Sequence, residues 1–136
     1  MLSAGILAAF CLLPMIMGSV PTCDDDELAY PDEGNIKNLV FKKISEKIQG
    51  QPSYDCELQS KAQIKFDLIG EDGDDAKSFK VVDTVMANSK EDFITETAEK
   101  WSQKLGSMSS TKFGCTYAER DYEGTPTNRL LGCVFA

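Results

Sequence analysis

Five cysteines and no histidine bound the chemistry this chain can do. Without an imidazole, the usual nucleophile–base triads and the proton shuttles that work near neutral pH have no base. The serines have no evident partner to activate them. Asp92 and Glu96 lie one helical turn apart and have the spacing of an acid–base pair, but two acids at that spacing are also what a solvated helix face carries, and that is the reading adopted. Catalysis is therefore not expected. Cys23, Cys56, Cys115 and Cys133 include no C-x-x-C pair and have no histidine to complete a zinc set, so no metal or other cofactor is expected either. The acidic run Asp24-Asp25-Asp26-Glu27 is read as solvated. Glu71-Asp72-Gly73-Asp74-Asp75 lacks the alternating ligands and the distant glutamate of an EF-hand loop.

The cysteines are better used in two disulfides, which need an oxidising compartment. Four cysteines allow three connectivities. The last quarter of the chain, Thr111–Ala136, narrows the choice. Two apolar runs, each containing Gly-Cys, flank a polar segment from Ala118 to Arg129 that holds Gly124, Pro126 and Asn128, which is the pattern of a hairpin. Phe113, Cys115 and Tyr117 share one face of the first strand, and Leu131, Cys133 and Phe135 share one face of the second. The sulfurs of Cys115 and Cys133 can then meet across the ladder, closing a loop of about 18 residues, worth about 3 kcal/mol in chain entropy. That leaves Cys23 and Cys56 for each other.

An export signal accounts for the compartment. Residues 1–19 carry no charged side chain, hold an unbroken apolar block from Gly5 to Leu13, and end on Gly18-Ser19. This reads as a cleaved signal peptide that takes Cys11 with it. The block is shorter than the ~20 residues a membrane span needs, and Pro14 interrupts it, so no stable membrane anchor is expected. About 117 residues remain, enough for one compact domain. They keep the whole net charge of -8, which makes nucleic acid and anionic membranes poor partners.

The elements that must support the hairpin follow in order. Val20–Gly34 reads as an extended acidic arm held by Cys23. Residues 35–136 read as a single domain. Asn35–Ile48 places Ile36, Leu39, Val40, Ile44 and Ile48 at helical spacing, with lysines 37, 42, 43 and 47 largely on the other side, and Gly50-Gln51-Pro52 stops it. Tyr54–Ile69 is a second helix, capped by Asp55, with Leu58, Ala62, Phe66 and Ile69 as its buried stripe and Gly70 as its end. Ser78–Met86 alternates as a strand. Ser89 opens a third helix whose inner stripe is Ile94, Ala98, Trp101 and Leu105, closed by Gly106. Three strands covered by helices give an α+β fold around a small, mostly antiparallel sheet.

Two stretches carry a resemblance. Tyr54-Asp55-Cys56-Glu57-Leu58, continuing to Ala62-Gln63, resembles the Y/W-D-x-x-L-xxx-A-Q helix start of the CAP superfamily, and its cysteine is common in the nematode Ancylostoma-secreted-protein group. Thr111-Lys112-Phe113-Gly114-Cys115 and Leu131-Gly132-Cys133-Val134-Phe135 resemble that group's paired final strands, whose cysteines bond to each other. The resemblance implies a CAP-like α-β-α sandwich. The two cavity histidines with which CAP domains hold a divalent metal have no counterpart here, and the stretch between second helix and hairpin is shorter, so the chain resembles a reduced, diverged member.

By similarity, such proteins are released at the host interface and bind host proteins or lipids. The expected role is that of an extracellular, excretory-secretory interaction protein of a parasitic nematode. Arg120, Tyr122 and Arg129, on the long 118–129 loop of a stapled scaffold, are the candidate contact residues. The alternative is a lipid or sterol carrier with a groove lined by Phe66, Phe79, Met86, Phe93 and Trp101.

Overall fold

The centre of the fold is the C-terminal hairpin, β3 (Lys112–Arg120) and β4 (Asn128–Phe135), in a computed structural model that describes residues 20–30, 34–71, 73–84, 89–120 and 128–136. The strands pair antiparallel, with Phe113 opposite Phe135, Cys115 opposite Cys133 and Tyr117 opposite Leu131. All six of these side chains are buried. The period-2 alternation fixes this register, because a slip of one residue would turn the aromatic face out to solvent. β2 (Ser78–Thr84) runs antiparallel along the far side of β4. A fourth strand, the two residues β1 (Ser53–Tyr54), pairs parallel to β3, so the order is β1-β3-β4-β2. The sequence pointed to three strands; a two-residue strand has no alternation to reveal it.

Helices cover both faces. α1 (Asp26–Ala29) touches both layers, with Ala29 in the disulfide-side core and its carbonyl accepting from Thr116 on the other face; on the disulfide face lie α2 (Gly34–Ser45), α4 (Lys90–Lys100) and α5 (Ser102–Gly106). Ile36, Val40 and Ile44 of α2, with Ile48 beyond it, meet Phe93, Ile94, Ala98, Trp101 and Leu105 there. An aromatic file runs through this layer, with Phe79 at 5.6 Å from Trp101 and 5.3 Å from Phe135, and Phe135 at 5.8 Å from Phe113. The opposite face carries α3 (Cys56–Ala62) and a π-helix (Gln63–Leu68), whose Ala62 and Phe66 pack on Ala118 and Leu130. This is an α-β-α sandwich with a disulfide across its hairpin.

Glycines set how close the second layer comes. A methyl group on Gly114 would fall on the backbone of Leu58 and Gln59, and one on Gly132 would fall on the Phe66 ring. The Gly in each Gly-Cys pair therefore lets α3 and the π-helix lie directly on the sheet.

Several expectations are corrected. The arm is not extended throughout: Asp26–Ala29 make one helical turn, and Cys23, Ala29 and Tyr30 are buried in the core. Lys37 is not on the solvent side of its helix; it is 6 % exposed because the arm covers it. The helix expected over 54–69 starts two residues later and changes pitch after Ala62. The wider π turn keeps Gln63 and Phe66 inward and swings Ile69 out, to 65 % exposed. The third helix breaks at Trp101 (φ -89, ψ 0) into α4 and α5. The strands extend into the segment read as loop, to Arg120 on one side and from Asn128 on the other. The helix expected over 35–48 runs from Gly34 to Ser45, and turns carry the chain on to Gly50 (φ 88); Gly70 (φ 76) does follow the end of its helix, in the left-handed conformation that glycine takes without strain.

Candidate functional site

The polar chemistry of the interior gathers where the arm meets α2 and α3. Asp25 and Asp26 face Gln59, which sits on α3 three residues after the cysteine that holds the arm. The two bonded pairs are Cys23 with Cys56 and Cys115 with Cys133. Asp55 caps α3 by accepting from the Leu58 amide at 3.0 Å, and that bond, with Lys112 nearby, holds its carboxyl below the usual range.

From this frame a directed chain of hydrogen bonds follows. The Tyr54 hydroxyl donates to Gln59 Oε1 at 2.6 Å and accepts from the Cys115 amide at 3.1 Å, with the Tyr30 hydroxyl 2.8 Å away. Gln59 Nε2 donates to Asp25 Oδ1 at 2.8 Å and Asp26 Oδ1 at 2.9 Å. Ser60 Oγ donates to Asp25 Oδ2 at 2.9 Å. Lys37 Nζ donates to Asp26 Oδ1 at 2.7 Å and the Pro21 carbonyl at 2.5 Å, lies 3.4 Å from Cys23 Sγ, and sits 5.1 Å from the Tyr54 ring centroid. A buried ammonium without such partners would cost several kcal/mol, so the arm and the lysine require each other.

The protonation states follow from this wiring. Burial pushes the Asp26 carboxyl up, but hydrogen bonds from Lys37, Gln59 and the Cys23 amide, with the lysine charge, outweigh it and hold the group below its ordinary value. Burial pushes the Tyr30 and Tyr54 hydroxyls well above the ordinary phenol value. The cluster brings together two aspartates, a lysine and two tyrosines, each aimed at another member. Its arrangement suits anchoring the arm.

Of the residues singled out in the sequence, Arg129 is placed differently from expectation. It lies on β4, opposite Glu119 and Asp83 in register, with its side chain 13 % exposed and Nε 3.6 Å from Glu119 Oε2. It belongs to the sheet rather than to an exposed loop, because the strand begins one residue before it. Glu119 also accepts from the Tyr117 hydroxyl at 2.5 Å. Arg120 ends β3, and Tyr122 and Met86 lie outside the described residues, as does the expected leader at 1–19. Asp92 and Glu96 are both exposed on α4. The aromatics offered as a carrier's lining do not face one space: Phe66 packs on one side of the sheet, and Phe79, Phe93 and Trp101 on the other. Among the described residues no group of three His, Cys, Asp or Glu could hold a metal ion, and no helix is long and apolar enough to cross a membrane.

Lys37, Gln59 and Tyr30 were missed in the sequence. The available signal was the acidic pair Asp25-Asp26 two residues after a cysteine whose partner, Cys56, opens the helix carrying Gln59.

Comparison with known proteins gives three results. The sequence matches the model of the family described as Ancylostoma-associated secreted protein related over residues 23–135. The fold is similar to the crystal structure of hookworm platelet inhibitor, with TM-score 0.52 and 14 % identity over 76 % of this chain and 70 % of that one. Manganese-bound Ac-ASP-7 aligns at TM-score 0.46 and 18 % identity over 86 % of this chain and 75 % of that one. No curated protein matches the sequence.

Proposed function

The chain belongs to the Ancylostoma-associated secreted protein related family, with a CAP-like fold, and from that premise we propose that it is a secreted, non-enzymatic interaction protein of a parasitic nematode, acting on a host protein. One observation carries the reading. The polar side chains where the arm meets α2 and α3 are turned on one another, from Tyr30 through Tyr54 and Gln59 to Asp26 and Lys37. A constellation poised to react would leave a base or nucleophile facing a cleft. Here the polar interior anchors the arm, which leaves the surface of a twice-stapled sandwich to do the work.

Two further features agree with this. The four bonded cysteines suit an extracellular environment, and residues 1–19 have the composition of an export signal. The similar fold of hookworm platelet inhibitor supports the reading of an interaction protein. The carrier alternative has less support, since the aromatics proposed for it fill two separate cores.

The test uses the tagged, oxidised protein incubated with host serum and with cell-surface extract. A specific protein should be retained, identified by mass spectrometry, and then shown to bind in purified form with a saturable Kd. Repeated captures that retain nothing from either source would overturn the proposal.

A further inference from the structure

One part of the surface is built unlike the rest. Leu28, Ile64, Leu68, Ile69 and Val82 are the large apolar side chains left exposed among the described residues, and three of them belong to the π-helix and the residue that follows it. The Ile69 amide donates to the Ile64 carbonyl at 2.9 Å, five residues back. Their side chains therefore stand one above the other, 48 % and 65 % exposed, while Phe66 between them turns inward. π-helical turns are uncommon and recur at functional sites.

Ile64 and Ile69 form one wall of an open groove of about 430 Å³, and Ser78 and Val134, at one end of the β2–β4 pair, form the other. Lys61 and Lys77 stand on its rim, and among the described residues neither ammonium has a hydrogen-bond or ion-pair partner. Lys65 is held back by Ser78 Oγ at 2.7 Å and Asp75 at 3.2 Å. With Glu71 and Asp75 the lining has three lysines against two acids, on a chain whose net charge is -8. The groove thus combines apolar walls with one more lysine than acids in its lining among the described residues, on an acidic protein.

The charge and the openness select the occupant. A second copy would bring another body of net charge -8 against the first. An alkyl chain would remain largely in water, whereas small-ligand sites enclose most of their ligand. A peptide from a protein partner needs only one anchor side chain seated in such a groove, with a charge beside it. We infer that the groove between the π-helix and the β2–β4 end of the sheet docks an acidic segment of a partner protein, with a large apolar side chain against Ile64, Ile69 and Val134 and a carboxylate facing Lys61 or Lys77. This rests on the interaction reading and says where on the surface it is exercised.

The test selects from a random dodecapeptide display library with the intact oxidised chain, then measures the synthesised winners by fluorescence anisotropy. Enriched peptides should place Asp or Glu within two or three residues of Leu, Ile, Phe or Trp. Binding should weaken about tenfold or more in Ile69→Glu and in Lys61→Glu/Lys77→Glu, and should fall with added salt. All three positions are exposed, and Trp101 emission and circular dichroism verify that the variants fold. Winners without the acidic–apolar pairing, or equal binding by both variants, would overturn the inference. So would a groove that takes phosphatidylcholine vesicles or oleate but no selected peptide. The two proposals fail differently. If a host protein is retained equally by wild type and Ile69→Glu, the groove assignment falls and the interaction reading stands; if wild type retains nothing, the interaction reading falls, while the library still reports on the groove.

Discussion

Lys37→Met isolates what the buried ammonium contributes. Methionine keeps most of the apolar stem and removes the charge. The lost contacts are those to Asp26 Oδ1 at 2.7 Å and to the Pro21 carbonyl at 2.5 Å. Removing one partner of a fully buried pair costs about 3–5 kcal/mol. Asp26 is 30 % exposed and keeps its bonds from Gln59 and the Cys23 amide, so the expected cost lies lower, at about 2–3 kcal/mol, the range of charge-assisted hydrogen bonds. The pH dependence is the sharper readout. The Asp26 carboxyl is lowered in the folded state, so its contribution is complete above about pH 4, the unfolded value, and is lost as pH falls through the lower folded value. The gap between wild type and Lys37→Met should therefore be widest at neutral pH and narrow below pH 4. Urea unfolding followed by the emission of buried Trp101, with the disulfides intact, measures both. A double-mutant cycle with Asp26→Asn should give a coupling of about 1–2 kcal/mol. A cost under about 0.5 kcal/mol at pH 7, or a gap that does not change between neutral and acid, would refute the account of the cluster.

Gly114→Ala should destabilise at the upper end of the overpacking range, about 3 kcal/mol, because the methyl group meets helix backbone that cannot swing aside. Gly106→Ala, with nothing within 4 Å, should stay within about 0.5 kcal/mol of wild type. Thermal unfolding of the two variants separates them, and equal melting would place α3 too close to β3 in the structure. The raised hydroxyls of Tyr30 and Tyr54 contribute stability that is present below the ordinary phenol value of about 10 and lost as pH rises above it. Tyr54→Phe should cost about 1–2 kcal/mol at neutral pH and show a shallower loss between pH 9 and 11 in urea titrations. A loss as steep as that of wild type would mean that Tyr54 ionises freely.

The parts of the fold legible in the sequence are those governed by a short period. Alternation in the last strands gave the faces of the hairpin and the opposition of Cys115 and Cys133, and a 3.6-residue repeat gave the inward residues of α2 and α4. Two kinds of feature escaped. Period alone does not say what covers a face, so Lys37, beside the stripe of Ile36, Val40 and Ile44, read as solvent-facing until an arm with no periodicity of its own was laid across it. A change of pitch resets the phase, so Ile69, which continues the stripe of Leu58, Ala62 and Phe66 on an α-helix, points outward on a π-helix.

The motif that carries the family resemblance is explained by these same contacts. Tyr54 supplies the hydroxyl that meets the Cys115 backbone, Asp55 caps α3, Cys56 binds the arm, Leu58 and Ala62 are buried, and Gln63 sits inside the π turn. Every one of these roles is structural, so the motif can persist in a chain that has no histidine for the metal chemistry expected of CAP domains. What distinguishes this chain must then lie outside the motif, in side chains the scaffold does not need. Ile64 and Ile69 meet that condition: each remains exposed on a helix whose inner face is already filled by Phe66. Replacing them should leave stability nearly unchanged and alter only what the protein binds.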